Sequence, residues 1–492
     1  MKRDIIALAG VIFAAVSCAA EKTISYPDAS LPDGGYEIPA DEVLVVDVAE
    51  GATYEYSGTI SGDGSVKKTG GGKLVLSGSN TFKGGFDLNG GSVQADSGTA
   101  FGSGKVTASV TSTSPRPRII FNAPDAVFAN DFDCTGSASS GNNDNPFFLF
   151  NKSVTLNGAF RFYRETYVAN ANNDSIVVTF NGPVTSENNG RKGLVYKCYG
   201  NTHFKEKLTA SSFYIGNAYS ATGSIHLWSS ENTITELMLR RGSVVCEADN
   251  VLGNAHVNMR NTDGVGSIDM NGKSQSIKYI RFGTGTETST PRDPNENDVT
   301  DNLIASADPA VLTISDSPNG VAHVGRFAIG GMVSLVVDAN DTFTQVFTNR
   351  TSLTTGDMTI TKGAVRLSGT ASFRNAGTVT IGSSGRLFVD STVEESLRNV
   401  GRLVMQGTDE DDPSKCVFEC ADGVSCPFAD RALALELNDG ANFLLGEGTV
   451  LRVKSLIVNG REVRGEFNPA DYPKIRVTGD ISAPYSFRIV VR

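Results

Sequence analysis

Apolar and polar residues alternate along most of this chain in short bursts. "KLVLSG", "GSVQAD", "RIIFNA", "SVTLNG", "AFRFYR", "SIVVTF", "SIDMNG", "VLTISD", "MTITKG", "AVRLSG", "TVTIGS", "RLFVDS" and "RLVMQG" each set apolar side chains two positions apart and are separated by Gly, Asn, Asp and Ser. That period turns one face of each segment into a core and leaves the other wet. The pattern predicts many short β-strands beyond the first twenty residues and no helix of ordinary length.

Spacing narrows the architecture. The pairs Met358/Ile360, Val365/Leu367, Val379/Ile381 and Leu387/Val389 recur at roughly seven residues or a multiple of it. Sandwich hairpins need longer strands and two-residue turns, so this rhythm favours coils stacked one on the next. Internal repetition agrees: Asn80-Thr81 is echoed by Asn232-Thr233, the Gly-Ser-Val at Gly91 by that at Gly242, and Phe101-Gly102 by Leu252-Gly253. Gly and Asn suit tight corners and the apolar residues fill a narrow interior, which a single coil cannot close by itself.

The segment "GSVKKTGGGKLVLSGSNTFKGGFDLNGGSVQADSGTAFGSGKV" resembles the autotransporter-associated β-strand repeat. The likeness lies in Leu74, Leu76 and Gly78, then Asn80, Thr81 and Phe82, then Gly84 and Gly85, then Asn89, Gly90 and Gly91, and in Gly102; Asn232, Thr233, Gly242 and Gly253 follow it in a looser second copy. The resemblance implies an all-β fold, a single-stranded right-handed parallel β-helix (β-solenoid), of the kind found in the exported passenger parts of bacterial surface proteins.

The organisation expected is a signal peptide over 1–20, a β-helix over 21–406 with repeat copies near 64–107 and 230–282 and a polar loop near 283–302, an acidic cysteine-bearing loop over 407–430, and terminal strands over 431–492 forming a cap. The first segment has basic Lys2 and Arg3, an apolar run and small residues before Glu21, the layout of a secretory leader. Lipoprotein anchoring at Cys18 is its alternative. The residues after 431 are too few for a membrane barrel of many strands, so a translocator barrel is not expected. Past the leader no apolar run is long enough to span a bilayer as a helix.

Composition adds limits. Glycine is frequent at 53 of 492 residues, tryptophan occurs once, as Trp228, and the formal charge is −11. An acidic chain without a basic block is a poor partner for nucleic acid. Six cysteines remain after the leader, and Cys416, Cys420 and Cys426 lack the companion ligand a zinc site needs; a local disulfide among them is the expectation.

Catalytic motifs are sparse. His203, His226, His256 and His323 are far apart in sequence, no Gly-x-Ser-x-Gly elbow occurs, and "GDGSVKKTGGG" lacks the features of a phosphate loop and is taken as turns. No catalytic, metal or cofactor residue is assigned. The functional expectation is a structural or adhesive surface module whose ladders of Asn, Ser, Thr and Asp bind glycans or other cell-surface components. The alternative is a polysaccharide lyase or glycoside hydrolase using Glu247, Asp249, Asp263 and Asp269 near Arg240 and Arg241. The aromatic middle segment leaves open whether its rings fill the core or form a sugar-stacking face.

Overall fold

The structure, a computed structural model, describes residues 19–110, 117–136, 147–162, 166–170, 173–186, 193–197, 199–216, 223–259, 266–281, 303–315, 322–325, 328–348, 356–373, 377–409 and 412–483. Most of the leader, the polar segment 283–302, Cys198 and Asp263 lie outside them.

The chain winds into a parallel β-solenoid. One ladder runs through Glu42–Val48, Ser65–Thr69, Phe86–Leu88, Val106–Val110, Phe132–Gly136, Phe160–Phe162, Val184–Ser186 and Leu208–Ile215. A second stacks Thr53–Tyr56, Lys73–Leu76, Ser92–Ala95, Arg118–Phe121, Phe148–Phe150, Thr166–Asn170 and Leu194–Lys197. A third begins at Ala126–Phe128 and continues through Val154–Leu156, Val177–Phe180, Asn201–Phe204, Ser224–Leu227, Gly242–Cys246 and Gly266–Asp269. The stack therefore runs on through the middle segment. Farther along, Met358 lies beside Val379 and Val365 beside Leu387, so a coil there takes 21 or 22 residues, in line with the rhythm of the sequence.

Alternation explains the core. Phe121, Phe132, Phe148, Phe150, Phe160, Phe162, Phe180 and Phe204 all point inward and are buried. They touch as successive rings, Phe132 on Phe160 at 4.5 Å and Phe180 on Phe204 at 4.9 Å between centroids. The aromatic middle segment is thus core filling at these positions, because each ring gains its partners from the coils before and after.

The corners need a different device, since a strand that stops leaves backbone groups unpaired inside. Asn80 supplies it: its Oδ1 accepts from the Ile60 N–H of the previous coil at 2.8 Å, and its Nδ2 donates to the Ala100 carbonyl of the next at 2.9 Å. Asn232 repeats the arrangement with Leu208 N–H at 2.7 Å and the Val251 carbonyl at 2.9 Å. Gln275 and Gln345 also satisfy buried backbone, but each toward an earlier stretch of chain: Gln275 accepts from Leu252 N–H and donates to the Ala248 carbonyl, and Gln345 pairs with both the N–H and the carbonyl of Ile280. The two sequence copies are therefore equivalent in bonding as well as in letters.

The segment "GDGSVKKTGGG" is not turn throughout. Ser65–Thr69 is a strand with Val66 and Lys68 inward, and glycines make the turns on either side. A lysine at a core position hid this alternation. Lys68 is fully buried, and its Nζ donates to the carbonyls of Thr69, Gly70 and Gly90 at 2.5, 3.1 and 3.3 Å. Burial lowers its pKa from 10.5 to about 8, against a small opposing pull from Asp47. The folded state then loses a proton that the unfolded chain keeps until about 10.4, so stability rises as pH climbs from about 8 to about 10.5. The gain is on the order of 3 kcal/mol. It is to be read as the difference between wild type and Lys68→Met in chemical unfolding across that range. A difference that does not change with pH would show that Lys68 keeps its proton in the fold.

Antiparallel pairing, among the described residues, is confined to Ser455–Val458 with Arg461–Val463 and Gly465–Glu466 with Asp480–Ala483. These crossings break the parallel stack. The described part of the fold contains one short 3-10 helix, Pro469–Asp471, and no helix long and apolar enough to cross a membrane.

Candidate functional site

The repeat-motif residues lie in the scaffold. Leu74, Leu76 and Phe82 are buried, Asn80 and Asn232 bind the corners, and Thr81 and Thr233 are exposed beside them. Gly85, Gly91, Gly102, Gly242 and Gly253 all have positive φ, whereas Gly78, Gly84 and Gly90 sit where an added Cβ would press on the backbone of the coil before, and Asn89 N–H donates to the Lys68 carbonyl at 2.9 Å. None of them belongs to the chemistry described next.

The cysteines among the described residues are thiols. Cys416, Cys420 and Cys426 are free, as are Cys134 and Cys246. Cys416 is occupied elsewhere, since its Sγ accepts from Gly407 N–H at 3.2 Å and faces the Ile381 carbonyl at 3.6 Å. Burial raises its pKa to about 11 and that of Cys420 to about 11, so both are held as the inert protonated form. Among the described residues no group of three or more His, Cys, Asp or Glu is placed to hold a metal ion.

Chemistry gathers on the outward side of the third ladder. In a strand every second residue faces out, and parallel register repeats that choice coil after coil. Asn201, Ser224, Ser243 and Ser267 therefore form one column, and His203, His226, Val245 and Asp269 form the next. Lys205, Trp228 and Glu247 continue the pattern at the strand ends, where Trp228 N–H bonds the Phe204 carbonyl and Glu247 N–H the Leu227 carbonyl. The inward alternates Phe204, Ile225, Leu227, Val244 and Cys246 are buried and keep the rows rigid.

Within this grid the side chains are linked. His226 Nδ1 faces Glu247 Oε1 at 2.7 Å, and its Nε2 lies 2.9 Å from Ser224 Oγ. Ser224 Oγ also reaches Asn201 Oδ1 at 2.7 Å, and Asn271 Nδ2 donates to the other oxygen of Glu247 at 3.3 Å. His203 stacks on His226 with centroids 4.4 Å apart and planes 19° from parallel. Burial lowers the pKa of His203 to about 4, helped by the neighbouring His226 and Lys205, so this ring is neutral near pH 7. Lys205 Nζ sits 3.1 Å from the centre of the Trp228 ring, and the indole remains 39 % exposed.

Of the carboxylates raised by the sequence that lie among the described residues, only Glu247 joins this cluster. Asp249 accepts from Ser274 N–H of the next coil at 2.7 Å, and Asp269 closes a local turn by accepting from Asn271 N–H at 2.9 Å. Sequence reading missed the histidines because His203 and His226 lie 23 residues apart. The signal was present in the offset itself, since it equals one coil, but only a known register makes it visible.

A second polar group lies where the second ladder continues through Thr233–Leu239, His256–Met259 and Tyr279–Arg281. Glu236 receives Arg281 Nη2 at 2.7 Å, Ser212 Oγ at 3.1 Å and Asn258 Nδ2 at 3.3 Å, with His256 Nε2 at 3.4 Å. Although burial pushes its pKa up, the bonds from His256, Arg281 and Asn258 win and hold it at about 2. An acid so fully engaged stays an anion and braces three coils.

Among known proteins, a family profile described as the passenger-associated-transport-repeat matches residues 66–95. No curated protein and no solved structure matches the chain. The matched stretch comprises the buried Lys68 strand, the Leu74 and Leu76 strand, the Asn80 corner and the Gly91 turn. With the passenger-associated repeat matched over two successive coils at 66–95 and parallel β-coils through most of the described residues, the chain is a parallel β-solenoid that fits the type of repeat protein found in autotransporter passengers.

Proposed function

We propose that the protein is exported, displayed at the bacterial surface, and adhesive, binding glycan chains along the outward face of the third ladder. The observation that carries this reading is Trp228, an exposed indole beside the Lys205 ammonium on a rigid face whose neighbouring positions include Asn, Ser and His. An indole offers a flat apolar surface with one polar edge, which suits the C–H face of a sugar ring, and amide and hydroxyl groups beside it pair with sugar hydroxyls. Parallel coils repeat such groups every ~4.8 Å, so an extended polymer meets similar donors and acceptors along its length. The leader and the passenger-type repeat support export.

The test is a glycan-array screen of residues 21–492, with product analysis of every glycan retained. Retention of an intact glycan is expected, with Trp228→Ala weakening it by about 2 kcal/mol, as loss of a central aromatic anchor does. Retention that survives Trp228→Ala would move the binding face elsewhere. Release of cleaved saccharide would replace the adhesive reading with a carbohydrate-active one.

A further inference from the structure

We propose that Ser224, His226 and Glu247 form a nucleophile relay, and that Ser224 hydrolyses esters of short carboxylic acids. This goes beyond glycan binding and does not rest on it.

The three residues are placed by register, not by a sequence motif. Ser224 and His226 are alternate residues of one strand and so share a face; Glu247 comes from the next coil, two positions beyond the Val245 that pairs with His226. The resulting order is Ser224 Oγ, 2.9 Å to His226 Nε2, then His226 Nδ1, 2.7 Å to Glu247 Oε1. That is nucleophile, base and orienting carboxylate, each within hydrogen-bond distance of the next. Glu247 accepts the Nδ1 proton, which leaves the Nε2 lone pair for the serine. The carboxylate is itself fixed by Asn271, and the imidazole plane is fixed by the stacked His203. Ser224, His226 and Glu247 are all partly exposed, so a substrate can approach from solvent.

The second partner of Ser224 Oγ is Asn201 Oδ1, at 2.7 Å. The hydroxyl has one proton, and in the reactive arrangement it points to Nε2. Attack forms an Oγ–C bond at the ester carbonyl carbon while that proton passes to Nε2. The C–O bond to the alcohol then breaks and the alcohol leaves with the proton from Nε2. Water attacks the acyl-serine next, gives a proton to Nε2 and expels the carboxylic acid, and Ser224 recovers its proton. Only ester and water are consumed.

The neighbours set the acyl size. Ser224 is flanked along its column by Asn201 and Ser243, polar side chains with no apolar surface to receive a long chain. A short acyl group, such as acetyl, loses nothing by that.

The experiment treats the full chain with a fluorophosphonate probe, maps the modified residue by mass spectrometry, and measures hydrolysis of p-nitrophenyl acetate. A single adduct on Ser224 is expected. Ser224→Ala and His226→Gln are expected to lower the hydrolysis rate by roughly 100-fold. Glu247, a positioning residue, is read by Glu247→Gln, which should depress the rate and alter its pH profile, with Glu247→Asp restoring part of it. Ser92→Ala, a partly exposed serine on the second ladder, should label and hydrolyse as wild type. Absence of the adduct in a chain whose melting curve shows it folded, or hydrolysis that persists in Ser224→Ala, would overturn the proposal. Neither result touches the glycan screen, which is read by retention and by release of cleaved saccharide.

Discussion

Replacing Gly91 by alanine is expected to destabilise its coil by on the order of 4 kcal/mol. Gly91 has φ +62, and an added Cβ would stand 2.2 Å from the Gly72 carbonyl oxygen and 2.7 Å from that of Gly70. The left-handed backbone alone costs an L residue ~1–2 kcal/mol. The contact adds more, because the Gly72 oxygen cannot retreat: it accepts the Ser92 N–H at 3.1 Å in the coil-to-coil ladder. Gly51 is the control. Its φ is +80 but its Cβ would meet nothing within 4 Å, so Gly51→Ala should lose only the backbone part. Repeat arrays do not unfold as a single unit, so the comparison is best made by hydrogen exchange of the amides in each coil, together with denaturant midpoints. Equal losses at Gly51 and Gly91 would show that close approach of successive coils is not what demands glycine here.

Truncating Phe132 to alanine should cost about 4 kcal/mol. The ring is 1 % exposed, stacks on Phe160 at 4.5 Å, and meets Phe121 and Phe101 edge-on at 5.6 and 5.9 Å. Its removal opens a hole that neighbours from rigid coils cannot close, and it strips partners from rings on both sides. Phe147, only partly buried at the edge of the same cluster, should lose much less when truncated. Equilibrium unfolding of the two variants decides the matter: similar small losses would mean that the aromatic column is loosely packed.

Much of the fold was legible because it is local and repeated. Alternation named the strands, since Leu74 and Leu76 are inward where the period places them, and the Asn80 and Asn232 copies matched because both corners solve the same backbone problem. What escaped was polar at an inward position or joined across coils. Lys68 breaks the alternation yet is stabilised by three carbonyls that no window of sequence displays. Spacing suggested a local disulfide among Cys416, Cys420 and Cys426; the structure turns Cys416 toward Gly407 and Ile381 and brings Cys426 near Cys420, and sequence distance carries no information on either direction.

The sequence by itself determined the period, the turn chemistry and the repeat, and with them the solenoid, because side-chain direction in a strand follows from parity alone. Tertiary structure alone decided which outward residues meet. Ser224 and His226 are brought to Glu247 by a coil whose length depends on every turn between them. One residue more or less in that coil would send Glu247 to the opposite face. Parity is written in each strand, whereas register is the sum of the corners, and only the stacked coils fix it.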